Sequence, residues 1–144
     1  MTIDSLTDGI VLDHIQAGKS MEIYRILELS KLDCRVAIIK NATSKREGRK
    51  DIIKIESLFD LDLTVLGYID PGITVNIVKG GKIVQKSKVE LPERVIGVLK
   101  CKNPRCITST EQEISQVFYL TNKVAGVYRC IYCETKADRE TERQ

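Results

Sequence analysis

Four of the five cysteines fall in two tight clusters, Cys101-Lys-Asn-Pro-Arg-Cys106 and Cys130-Ile-Tyr-Cys133, with 23 residues between them. Two thiolates a few positions apart on a turn reach the same small ion, and two such turns complete the tetrahedron that Zn²⁺ prefers. Four sulfurs leave no open position for water, so the expected centre is structural and does not activate a nucleophile. Cys34 stands apart, just before an apolar stretch, and reads as a small buried hydrophobe.

A second set of reactive side chains lies earlier in the chain. Residues 40–54 hold six basic and two acidic side chains, residues 79–88 hold four lysines and no acid, and residues 55–78 hold four acids and no base. Two basic segments within an otherwise neutral half mark a local site for an anion of modest size. Alternation along Lys50–Glu56 sends Lys50, Ile52 and Lys54 one way and Asp51, Ile53 and Ile55 the other. Asp13 and His14 close a β-branched run, where polar side chains can leave a core. Lys79, Lys82 and Lys88 read instead as solvated charges guarding a strand edge. No catalytic set is expected: His14 is the single histidine, with no serine or cysteine beside it in sequence.

These groups need elements to hold them. Ile10–Ile15, Arg35–Lys40, Lys50–Glu56, Ile73–Val78 and Lys82–Lys88 read as strands, and Lys19–Leu32 and Leu58–Tyr68 as helices. Ser20 is the expected N-cap of the first helix, Asn41–Arg49 a polar loop, and the leucines of 58–66 core. Gly80-Gly81 between β-rich runs predicts a type I′ hairpin, which needs positive φ twice. Ideal pairing about that turn would put Asn76 and Lys86 on opposite faces, so a bulge or a ligand wrapping the edge is required if both serve one site. The order strand, helix, two strands, helix, two strands predicts a ferredoxin-like α+β domain over residues 1–93, a sheet with two helices on one face. Its other face needs a partner, and dimerisation is the simplest one.

Residues 94–144 are expected to form a small all-β unit around the metal, with strands at 113–120 and 123–131, and residues 1–8 and the tail after Ala137 to be loosely held. Residues 1–93 balance 14 basic against 14 acidic side chains, and residues 94–144 carry nine against six. Metallation would trim that small excess, which leaves weak footing for the competing reading, a zinc ribbon that binds nucleic acid. No run approaches the ~18 apolar residues of a membrane span. Five cysteines without a visible export signal fit a reducing cytoplasm.

Several stretches in order, Gly9-Ile-Val-Leu-Asp-His14-Ile, Gly48-Arg-Lys-Asp-Ile-Ile-Lys-Ile-Glu56, Thr74-Val-Asn76, Lys86-Ser, Leu91-Pro-Glu-Arg94 and the two cysteine clusters, resemble the regulatory chain of aspartate carbamoyltransferase over essentially the whole sequence. The resemblance implies a non-catalytic subunit of pyrimidine biosynthesis. Its first domain would bind CTP and ATP, with UTP a further candidate. Its second would be a zinc domain docking on a separate catalytic chain, and the regulatory chains would pair as homodimers. Carried over by residue, Asp13 and Lys54 would contact the ribose, and His14 and Lys86 the phosphates, with Lys50 close by. Asn76 would lie beside the nucleotide or touch a second one, and Leu6 and Ile83 would line the base. Asn103 and Glu134 would face the catalytic chain. Gly81, where family members carry an aromatic, implies a more open base pocket, and Arg105 and Ile131 depart from the family's pattern in the clusters.

Overall fold

The computed structural model describes residues 6–45 and 48–137; the first part of the N-terminal arm and the tail after Ala137 lie outside them. The chain divides into two compact units, Met1–Glu90 and Leu91–Gln144.

In the first unit, β1 (Gly9–Gln16), β2 (Val36–Ser44), β3 (Gly48–Ile55), β4 (Thr74–Lys79) and β5 (Lys82–Lys88) form one antiparallel sheet in the order β2-β3-β1-β4-β5. α1 (Ser20–Ile26) and α2 (Leu63–Ile69) make the two crossovers of a split β-α-β arrangement, and β5 adds an edge strand. Both helices lie on one side. Ile10, Leu12, Ile53, Ile55 and Val75 are buried on that side with Ile23, Leu66 and Ile69 of the helices. Asp51, in phase with Ile53 and Ile55, accepts hydrogen bonds there from the backbone at the start of α1. The ferredoxin-like α+β expectation is what the structure shows.

Several boundaries moved, each for a physical reason. The first helix is seven residues long and not fourteen, because Glu28 takes φ 55° and turns the chain into a 3-10 segment, Leu29–Lys31. Ser20 is the first helical residue and not the cap. Its N–H, with that of Gly18, is satisfied by Asp51, a cap supplied from 31 residues away. β2 runs through the expected loop to Ser44, because a bulge between Ile39 and Ala42, with Asn41 at φ 60°, lets a polar segment keep pairing with β3. α2 starts five residues later than expected, where Asp62 accepts from the N–H groups of Thr64 and Val65. Leu58 and Leu63 are therefore exposed, and the core of this segment is Val65, Leu66, Tyr68 and Ile69. Cys34 is half-buried.

The hairpin between β4 and β5 has Gly80 and Gly81 at φ 60° and 77°. Thr7 O accepts from Gly81 N and the Asp8 carboxylate from Gly80 N, so this end of the arm is tied to the turn.

In the second unit, β6 (Arg94–Ile96), β7 (Val117–Asn122) and β8 (Val127–Cys130) form a three-stranded antiparallel sheet, with a single helical turn, α3 (Ile107–Thr110), after the first cysteine cluster. The core is thin: Val95, Leu99, Phe118 and Tyr128, together with Cys101, Cys106 and Cys130. β7 begins four residues later than expected, since Glu111–Gln116 is spent in turns and bends, and β8 four residues later, since Lys123–Gly126 forms the turn between the two strands.

Candidate functional site

The helix-free face of the first sheet carries one set of functional side chains. The register aligns Lys54, Val11, Asn76 and Lys86 as directly paired residues on β3, β1, β4 and β5. Paired residues share a face, so this is a row across the sheet, with Lys54 and Lys86 about 14 Å apart at ~4.8 Å per strand. The pairing of Asn76 with Lys86 requires a bulge between Ile77 and Val78 on the β5 side, which leaves Val84 as the extra residue. That bulge resolves the conflict expected from an ideal hairpin. It also sets Ile83, opposite Val78, on the same face as Lys86. Ile83 is 61% exposed.

A second bulge shapes the other end. β1 shifts register between Leu12 and Ile15, with His14 at φ 59°. Asp13 Oδ1 lies 2.9 Å from Lys50 Nζ in a largely buried ion pair. It also accepts from His14 N at 2.6 Å. Burial works against the charge on Asp13, but Lys50 and the His14 N–H hold its carboxyl below the usual range. His14 Nδ1 is 3.1 Å from Thr74 Oγ1. Thr74 was not singled out from sequence, although its spacing of two from Asn76 puts it on this face.

Asn76 is 6% exposed and its Oδ1 has no hydrogen-bond partner among the described residues. Neither Lys54 nor Lys86 is ion-paired among them. A buried amide oxygen without a partner is costly, and here it lies in one row with two lysines that have no counter-ion among the described residues. Of the residues marked from sequence, Asp13, Lys50, Lys54, Asn76, Ile83 and Lys86 share this face, and His14 joins it through the bulge. Leu6 is half-buried beside Gly9.

The second unit holds the cysteine centre. The four Sγ atoms lie within 4.8 Å of one another, with Cys101 to Cys133 at 3.5 Å and Cys106 to Cys130 at 3.7 Å. A tetrahedral ion with bonds of ~2.3 Å needs sulfur–sulfur edges of about 3.8 Å, so the donors fit Zn²⁺. The surroundings suit thiolates. Thr108 Oγ1 is 3.1 Å from Cys106 Sγ and Thr135 Oγ1 is 3.1 Å from Cys133 Sγ. Burial pushes the Cys101 thiol up to about 12. At Cys133 burial also opposes ionisation, but hydrogen bonds with Thr135, Asn103 and Cys101 together draw the thiol down to about 6. A divalent cation draws protons off the buried thiols that would otherwise stay neutral.

Local bonds shape both clusters. Asn103 O accepts from Cys106 N and its Oδ1 from Arg105 N. Glu134, at φ 62°, donates its N–H to Cys130 O and accepts the Tyr119 hydroxyl on its carboxylate. Gln116, which sequence reasoning missed, accepts from Cys101 N through its side chain.

Among the described residues no helix is long and apolar enough to cross a membrane. The fold and the site define a two-unit protein, a small α+β domain with lysines on its open face followed by a four-cysteine metal module. Comparison with known proteins narrows the class. Residues 1–90 match the family model of the aspartate carbamoyltransferase regulatory chain, allosteric domain, and residues 93–142 that of its metal binding domain. The chain is 51% identical over 134 residues to the aspartate carbamoyltransferase regulatory chain of Clostridium botulinum, covering 93% of this chain and 92% of that one. It is 45% identical over 137 residues to that of Bifidobacterium longum, covering 95% and 99%. The chain belongs to the family of aspartate carbamoyltransferase regulatory chains. It is accordingly a non-catalytic chain with an allosteric domain and a metal-binding domain.

Proposed function

We propose that the open face of the first unit binds nucleoside triphosphates, CTP and ATP in competition and UTP as a further ligand, and that this binding tunes aspartate carbamoyltransferase catalytic chains in the cytoplasm. The observation that carries the reading is the row Lys54–Asn76–Lys86, a buried amide oxygen without a partner between two lysines without an ion pair among the described residues. A triphosphate brings several negative charges and lysines meet them as point charges. Asp13 accepts a ribose hydroxyl beside Lys54, His14 and Lys86 take phosphate oxygens, and Lys50 supports both through Asp13. Leu6 and Ile83 flank the base, whose edge backbone N–H and C=O groups read without discriminating strongly between ring types.

The zinc unit is the coupler to the catalytic chain, with Asn103 and Glu134 on its contact surface. Arg105 and Ile131 give that surface a composition of its own. The regulatory chains pair as homodimers. An effector shifts the assembly only by binding its two states unequally, with coupling of about 1–3 kcal/mol. CTP favours the state of low activity and ATP that of high activity.

The test is a CTP titration of the full chain by calorimetry, repeated with ATP present and with Lys54→Ala. Saturable CTP binding that ATP displaces and Lys54→Ala weakens supports the reading. Absence of CTP binding, or retention of the chain on nucleic acid in a salt-sensitive manner instead, rejects it.

A further inference from the structure

Asp51 is a fully buried carboxylate on the helix side of β3, in phase with Ile53 and Ile55, where the strand pattern calls for hydrocarbon. Its Oδ2 accepts from Gly18 N at 3.1 Å and Ser20 N at 3.3 Å, and its Oδ1 from Asn41 N at 3.0 Å. The two strands flanking β3 both bulge opposite the same stretch, β1 between Leu12 and Ile15 and β2 between Ile39 and Ala42. Each bulge contains a non-glycine residue in the left-handed region, His14 and Asn41, which is unfavourable unless the surroundings impose it.

The bulge in β1 decides where His14 points. In a regular strand His14 would alternate onto the same side as Ile10 and Leu12, into the core. With the bulge, Ile15 sits opposite Asp51 and not opposite Lys50, and His14 comes out to meet Thr74 on the open face. The segment just after His14 must therefore be held one residue out of the earlier register. Asp51 holds it at Gly18 and Ser20, and Asp70 helps by accepting from Gln16 N at 2.7 Å.

We infer that Asp51 is a positioning residue for the effector site, acting through the β1 bulge to hold His14 on the nucleotide face. Burial opposes its charge, yet the backbone N–H donors of Asn41, Gly18 and Ser20 keep its carboxyl below the usual range, so the anchor is ionised at neutral pH. The inference rests on the reading of that face as a nucleotide site.

His14 is the single histidine, so the histidine-labelled full chain gives one ring signal. Asp51→Asn turns an acceptor into a group that offers N–H to N–H, and should move that signal. The CTP dissociation constant should rise about tenfold, or about 1.4 kcal/mol. In a His14→Ala background Asp51→Asn should add less than about twofold, because it acts through the missing ring, whereas with Lys86→Ala the two penalties should multiply. A wild-type signal with wild-type CTP affinity overturns the inference, and so does a full tenfold loss that persists without His14. Should Asp51→Asn fail to fold, Gly18→Ala loosens the same turn through strain alone, since Gly18 has φ 97° and its Cβ would meet nothing within 4 Å. An unmoved His14 signal and unchanged CTP affinity in that variant likewise overturn it. If the wild-type chain binds no CTP, the effector reading is what fails, and the His14 signal still decides whether Asp51 positions the ring.

Discussion

Removal of the metal should unfold the second unit and spare the first. The second unit buries four large non-cysteine side chains, Val95, Leu99, Phe118 and Tyr128. At about 1.5–3 kcal/mol each they contribute roughly 6–12 kcal/mol. A structural zinc site contributes on the order of 10 kcal/mol, as much as that whole set. Chain ordering opposes both terms, and so thin a core leaves little margin once the share of the ion is lost. The unit therefore should not stay folded without the ion. The first unit has its own core, including Ile10, Leu12, Ile53, Ile55 and Leu66, and contributes none of the four clustered cysteines. The assay is an amide correlation spectrum of the full chain before and after dialysis against a strong chelator under reducing conditions, with the metal released measured by atomic absorption. One zinc per chain should be lost, the resonances of Val95, Phe118 and Tyr128 should collapse to random-coil positions, and those of β1 and β3 should stay dispersed. Cys106→Ala should reproduce this and Cys34→Ala should not. A chelated chain that keeps Phe118 and Tyr128 dispersed would refute the reasoning, as would a pure, reduced preparation with no zinc at all.

Cys101→Ala should abolish co-elution with the catalytic chain while leaving CTP affinity within about twofold, since the proposed docking surface and the proposed nucleotide face belong to separate units; co-elution as before would contradict that division. Lys86→Ala should weaken CTP binding about tenfold and flatten its salt dependence, because one point charge facing the triphosphate is lost; an unchanged isotherm across salt concentrations counts against a phosphate role. The lowered carboxyl of Asp13 links stability to pH. Its folded value lies below the unfolded 3.8, so its contribution is in place above about pH 4 and is lost as the pH falls through the folded value. Urea melts of the first unit should therefore show a shallower acid decline in Asp13→Asn, and equal slopes would remove Asp13 from the acid response. Gly67→Ala should destabilise the first unit by roughly 1–3 kcal/mol despite the better helix former, because its Cβ would stand 2.0 Å from Glu90 O; a rise in melting temperature would show that the backbone yields.

The residues themselves determined whatever depends on spacing along the chain. Cysteine pairs with four and two residues between them make a metal centre wherever the two clusters meet, because each pair presets half of the tetrahedron. Alternation along Lys50–Glu56 separated the lysines from Asp51, Ile53 and Ile55, and Gly80-Gly81 marked its hairpin, since these are consequences of local backbone geometry. Tertiary structure decided whatever depends on a partner distant in sequence. No local signal says that Val84 is the extra residue that brings Lys86 level with Asn76, since a bulge arises from how two strands settle against their neighbours. The cap of the first helix could not be found near Ser20, because the acceptor is Asp51, on the third strand. His14 points out of the core only because β1 changes register beside it. Short-range geometry is written in neighbouring residues, whereas register and remote hydrogen bonds are settled by the sheet as a whole.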